Sequence, residues 1–230
     1  MVKVLIAEDN ETICIHLSNK ISSTKEVQAI QIVNKGNEVM EKIKDFKPEI
    51  IVLDLKLPGE DGISILNKIQ NDSSIDTNVI IYSGEPTYIN RIRGYDCVRA
   101  FYNKLTPHEN IGVEIQRIAR EIDGEVMKKK IYDVIYKIGF APSHKGTDFL
   151  EECVEIAIQE NEENLNVMYD KVAKGKKQTC HTVKADVQRA IKKMWKYADK
   201  EKVRRIFRLG ETEDPSPKNV VPMIKYYVNK

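Results

Sequence analysis

The stretch "IIVLDLKLPGEDG", Ile50 to Gly62, decides how the front of this chain reads. Ile50, Ile51, Val52 and Leu53 form the kind of unbroken apolar run that fits a strand buried on both faces. The run then meets a carboxylate, Asp54, and a turn signal, Pro58-Gly59. Desolvating an unpaired carboxylate costs roughly several kcal/mol or more. Asp54 is therefore either paired inside, or it stands at the strand's carboxyl end where something binds.

Working outward, "KVLIA", "AIQIV" (Ala29–Val33), "NVIIYSG" and "RAFYN" are further short apolar runs. Between them lie stretches of helical spacing: Ile13, Leu17 and Ile21; Val39, Ile43 and Phe46; Ile63, Leu66 and Ile69. Strands alternating with amphipathic helices imply βαβ units and a parallel sheet covered on both faces. "TPHENIGVEIQRIAREI" adds a helix with Thr106 as N-cap, Pro107 in its first turn, and Ile111, Ile115, Ile118 and Ile122 on one face. After "DGEV" (Asp123–Val126) the strands stop, and the remaining segments read as helices, the first ending at Gly139. The fold class is α/β: a five-fold βα, doubly wound parallel sheet over residues 1–123, then an all-α bundle over 128–230.

Charge divides the chain the same way. Residues 1–123 carry a balance of −4 and residues 124–230 a balance of +6, so different partners are expected for the two parts. Within 165–208, 14 basic residues face 4 acidic ones. Cys14, Cys97, Cys153 and Cys180 show no paired spacing, and reduced thiols are expected. No run approaches the ~18 apolar residues of a spanning helix, and the N-terminus has no signal-peptide pattern, so a cytoplasmic protein is expected.

The strand ends hold the chemistry. Ligands gather beyond the carboxyl ends of parallel strands, where strand order reverses. Glu8 and Asp9 end the first strand, Asp54 the third, Ser83 the fourth, and Lys104 follows the fifth. Three convergent carboxylates suit a hard cation such as Mg²⁺. With a hydroxyl and an ammonium beside them they describe a phosphoryl-transfer site with Asp54 as nucleophile.

In this order and spacing, residues 1–120 resemble the receiver domain of two-component response regulators. The adjacent acids match Glu8-Asp9, the phosphoacceptor Asp54, the turn Pro58-Gly59-Glu60-Asp61-Gly62, the switch hydroxyl Ser83, the switch aromatic Phe101 and the phosphate-binding lysine Lys104. The resemblance implies a histidine kinase or phosphotransferase as donor. It implies Mg²⁺ held by Glu8, Asp9, Asp54 and the backbone carbonyl of Lys56. It also implies a switch in which Ser83 moves toward the phosphoryl group and Phe101 turns into the space, with Lys56 and Glu85 flanking. The catalysis expected is limited to self-phosphorylation and slow self-hydrolysis. A phosphatase of the haloacid dehalogenase type would want an aspartate where Lys56 stands.

In the back half, "QTCHTVKADVQRAIKKMWKYA" places Val183, Val187, Ala190, Ile191, Met194 and Ala198 on one helical face. Lys184, Gln188, Arg189, Lys192, Lys193 and Lys196 take the other, and Thr182 reads as the N-cap. A shorter helix upstream, ending near Gly175, completes a helix-turn-helix pattern. Lys184, Ala185, Gln188 and Arg189 are then candidates for base edges, and Lys192, Lys193 and the N-terminal Thr182 for the DNA surface around them. A lysine-rich face is by itself only a solvated face. "IGFAPSHKGTDFLEECVEIAI" with "VQRAIKKMW", however, resembles the C-terminal effector of the sporulation initiation regulators of spore-forming bacteria. That resemblance implies a six-helix bundle binding double-stranded DNA as a homodimer. Two features depart from it: a turn, 174–181, that reads as longer, and Asp186, which reads as an acid facing DNA. They favour the alternative of a protein- or RNA-binding output without sequence-specific readout.

Overall fold

The computed structural model describes residues 1–84, 89–104, 111–142 and 144–230. The helix start expected at Thr106-Pro107, and Glu85, lie outside these residues. The chain forms two compact units, Met1–Asp123 and Gly124–Lys230.

The first unit is a five-stranded parallel sheet: β1 (Val2–Ala7), β2 (Val27–Val33), β3 (Ile50–Leu53), β4 (Asn78–Ser83) and β5 (Val98–Asn103), in the order β2-β1-β3-β4-β5. Period-two alternation sends successive side chains to opposite faces. Val4 and Ile6 of β1 join Ile50 and Val52 of β3 on one face, against α1 (Glu11–Ser22) and the start of α5 (Ile111–Ile138). Leu5, Ala7, Ile51 and Leu53 go to the other, against α2 (Gly36–Phe46) and α3 (Gly62–Asn71). A short α4 (Ile89–Ile92) precedes β5. Because β1 sits between β2 and β3, the strand order reverses beside it, and the carboxyl ends of β1 and β3 open a crevice there. The turn after β3 needs Gly59, whose φ of +88° lies in the region that favours glycine.

The change of pattern at Asp123–Val126 implies a break between helices, but α5 runs through it as one 28-residue helix. A lone glycine costs a helix about 1 kcal/mol, and no proline stands there to end it. Gly139, with φ +108°, follows its last residue.

In the second unit, the end of α5 packs with α6 (Lys145–Gln159), α7 (Leu165–Lys176), α8 (Cys180–Tyr197), α9 (Lys200–Phe207) and α10 (Pro217–Val228) around one core. Leu150, Val154, Val187, Ile191 and Ile224 lie in it, each 1% exposed or less. A close approach of α6 to α8 is set by Gly146. A Cβ there would lie 2.0 Å from the Asp186 backbone oxygen, so α6 can press on α8 only while residue 146 has no side chain. Gly146→Ala is expected to destabilise the second unit by about 2 kcal/mol through overpacking. Urea unfolding followed by the fluorescence of Trp195, the chain's one tryptophan, measures it. An unchanged midpoint would contradict the close approach.

Candidate functional site

The crevice at the end of β1 and β3 gathers acids. The Asp54 amide donates to Ala7 O (2.9 Å), which extends the β1–β3 pairing one step past the strand and holds Asp54 beside Glu8. Glu8 is 1% exposed, Asp54 4%, and Asp9 is open to solvent. One ligand oxygen from each of the three lies within 4.8 Å of the others. Lys104, just past β5, is carried in by its amide bonded to Ser83 O (3.1 Å). Its Nζ donates to Asp54 Oδ2 at 2.7 Å and lies 2.6 Å from Glu8 Oε2. The second contact is an ion pair out of line for a hydrogen bond, which leaves Glu8 Oε2 without an aligned donor among the described residues. Burial pushes the Glu8 carboxyl above the usual carboxylate range, against the pull of Lys104. Burial also acts to discharge Lys104, but its hydrogen bond to Asp54 and the charges of Asp54 and Glu8 outweigh it, and its pKa rises.

Three neighbours not singled out from the sequence hold this arrangement. Asn34 Nδ2 (2.9 Å) and Cys14 Sγ (3.3 Å) both donate to the Glu8 carbonyl, so the backbone that bears the acid pair is tied to β2's end and to α1. The Tyr82 ring lies 5.8 Å from Lys104 Nζ, within cation–π range. The signal available was that Asn34 directly follows β2, which neighbours β1. Ser83 is fully buried, and its Oγ has no hydrogen-bond partner among the described residues. Phe101 pairs in register with Ile81 and packs, half-buried, on the α2–α3 side of the sheet. Lys56 is exposed in the loop after β3.

The α7–α8 pair differs from its sequence reading in three ways. The turn is short: α7 continues through Gly175 to Lys176, Lys177 reverses the chain in the left-handed region (φ 52°), and α8 begins at Cys180. The N-cap is Thr179, whose Oγ1 accepts from the Thr182 amide at 3.1 Å, so Thr182 stands inside the first turn and not at the cap. Asp186 does not face outward. It is 8% exposed, beside the backbone approach at Gly146, and pairs with Arg189 one turn along. Lys184, Gln188, Arg189, Lys192 and Lys193 are exposed along one side of α8, with Thr182 and Ala185 half-buried among them.

Two family models match this chain. Residues 4–101 match the response regulator receiver domain, and residues 131–228 the C-terminal domain of the sporulation initiation factor Spo0A. The chain is a response regulator with a Spo0A-type effector. A protein-glutamate methylesterase/protein-glutamine glutaminase of Syntrophomonas wolfei is 31% identical over 81 residues, 35% of this chain, which spans about a fifth (22%) of that relative's length. Among solved structures, a LuxR-family DNA-binding response regulator from Staphylococcus aureus aligns at 22% identity, covering 52% of this chain and 99% of that one with a TM-score of 0.47. The receiver domain of the Francisella response regulator 1452 aligns at 24%, covering 53% and 99% with a TM-score of 0.47.

The receiver thus brings Glu8, Asp9, Asp54 and Lys104 together at one crevice, with Ser83 at the neighbouring strand end. Phe101 lies two strand residues before Asn103, the register partner of Ser83. The buried pair Glu8 and Asp54 shares the Lys104 ammonium. Lys104→Met should leave Glu8 and Asp54 buried without their counter-charge and destabilise the receiver by about 3 kcal/mol. Chemical denaturation followed by far-UV circular dichroism tests this, and equal stability of the variant would contradict the pairing.

Proposed function

We propose that this response regulator is a phosphorylation-controlled transcription factor in which Asp54 accepts a phosphoryl group and thereby governs DNA binding by the effector, with 1–123 and 128–230 as the two working parts. The observation that carries the reading is the Lys104 ammonium, 2.7 Å from Asp54 Oδ2 at the point where strand order reverses. A cation already stands where an acyl phosphate would need one.

The donor is a histidine kinase or phosphotransferase. An Asp54 carboxylate oxygen bonds to phosphorus as the bond from phosphorus to the donor's imidazole nitrogen breaks, and the nitrogen keeps the electron pair. The donor set fits Mg²⁺: three hard carboxylates within 4.8 Å and a buried Glu8 oxygen that lacks an aligned hydrogen bond. Glu8, Asp9, Asp54 and the backbone carbonyl of Lys56 would hold the ion, which when bound supplies charge neutralisation for the transferring group. Lys104 exchanges its bond to Asp54 for one to a phosphoryl oxygen. Ser83, whose hydroxyl has no hydrogen-bond partner among the described residues, donates to another, and Phe101 follows it inward.

In the effector, the exposed side of α8 enters the major groove. Lys184, Ala185 and Gln188 face base edges, while Thr182, Lys192 and Lys193 serve the backbone. Arg189, hydrogen-bonded to Asp186, reaches DNA with its orientation already fixed. The bound form is a homodimer on double-stranded DNA, and the protein works in the cytoplasm; no helix among the described residues is long and apolar enough to cross a membrane. The outward acid and long turn that favour a protein- or RNA-binding output are replaced by an inward Asp186 and a three-residue connection at 177–179.

Treating the full chain with acetyl phosphate and Mg²⁺ should give one acid-stable, base-labile phosphoryl group, absent from Asp54→Asn. Stoichiometric labelling of that variant would remove the assignment. Selection from random duplex DNA with the phosphorylated chain should then enrich one motif, and recovery of sequence-blind binding would return the protein- or RNA-binding alternative.

A further inference from the structure

A half-open cleft of about 910 Å³ lies beside α8 within the second unit. One wall is the outer edge of α8, with Lys184 and Gln188. The facing wall is the start of α10, with Lys218 and Pro222, and the floor is apolar, with Met168 and Val221. Lys225 Nζ donates to Asn161 Oδ1 (2.8 Å) and ties the α6–α7 loop to α10 at the cleft's edge.

We propose that this cleft seats the sugar-phosphate backbone of the same duplex that α8 reads, with Lys218 as a phosphate contact. The inference rests on the DNA-binding reading and deepens it. A helix about 10 Å across nearly fills a major groove about 12 Å wide, so the strands that border the groove must pass along the helix's flanks. The cleft is such a flank, because its wall is made of α8 residues that would face the groove. Its charge agrees: Lys218 is exposed and has no ion pair among the described residues. It stands in the first turn of α10, where a cation opposes the helix dipole, so helix stability does not explain it. Glu162 and Glu163 also line the cleft, and their charge would repel a phosphate strand from their own positions toward the lysines.

The test uses the full-length chain treated with acetyl phosphate, and polarisation of labelled duplexes (the selected motif and a scrambled one) across a sodium chloride series. Lys218→Ala should bind both duplexes about fivefold more weakly and lower the salt slope by about 0.9, leaving the preference between them unchanged. Lys218→Arg should restore affinity and slope. The proposal is overturned if Lys218→Ala keeps the wild-type slope and affinity, or if it alters the preference between duplexes, which would mean a base contact. If the wild type binds neither duplex, the DNA-binding reading itself fails and the inference goes with it, an outcome distinct from a failure confined to the variant.

Discussion

Two carboxylates buried side by side are tolerable only with a cation between them, and Lys104 is that cation. Much of the receiver's sheet edge can be understood from this requirement. β5 must pair with β4 in the register that delivers Lys104 past Ser83, and β1 must lie next to β3 so that Glu8 and Asp54 share one ammonium. The Asn34 and Cys14 donors to the Glu8 carbonyl belong to the same constraint, because an acid pair on a loose loop would swing toward water and leave the lysine behind.

The sheet was legible because its signals are local. An apolar run of strand length buried on both faces, such as Ile50–Leu53, has few other places to go, and residues that end such runs meet at one edge whatever the details. The clamp on Glu8 was not legible, since it joins side chains to a backbone carbonyl across two elements, and no spacing in the chain encodes that. The run of α5 through Asp123–Val126 was missed for a different reason: a change in what a helix packs against looks, in sequence, like a change of helix.

The effector shows where chemistry and position disagree. Asp186 reads as outward because it is an acid, yet it lies three residues from Val183 and four from Ala190, which is the packed face. Position prevailed because Gly146 lets α6 close over it and Arg189 supplies the counter-charge. Gly175 reads as a stop because glycine ends helices, but the left-handed residue is Lys177, at a cost of roughly 1–2 kcal/mol that the α7–α8 packing sustains. Thr179 and Thr182 are equally good caps by type. Which one serves depends on where the chain reversal ends, and that is a tertiary fact.

The hydroxyl of Ser83 has a consequence of another kind. A buried donor without a hydrogen-bond partner among the described residues leaves the fold less stable by about 1–3 kcal/mol than alanine would at that place. The folded receiver therefore carries a hydroxyl whose bonding capacity is unspent. Thermal endurance alone would favour alanine at this position.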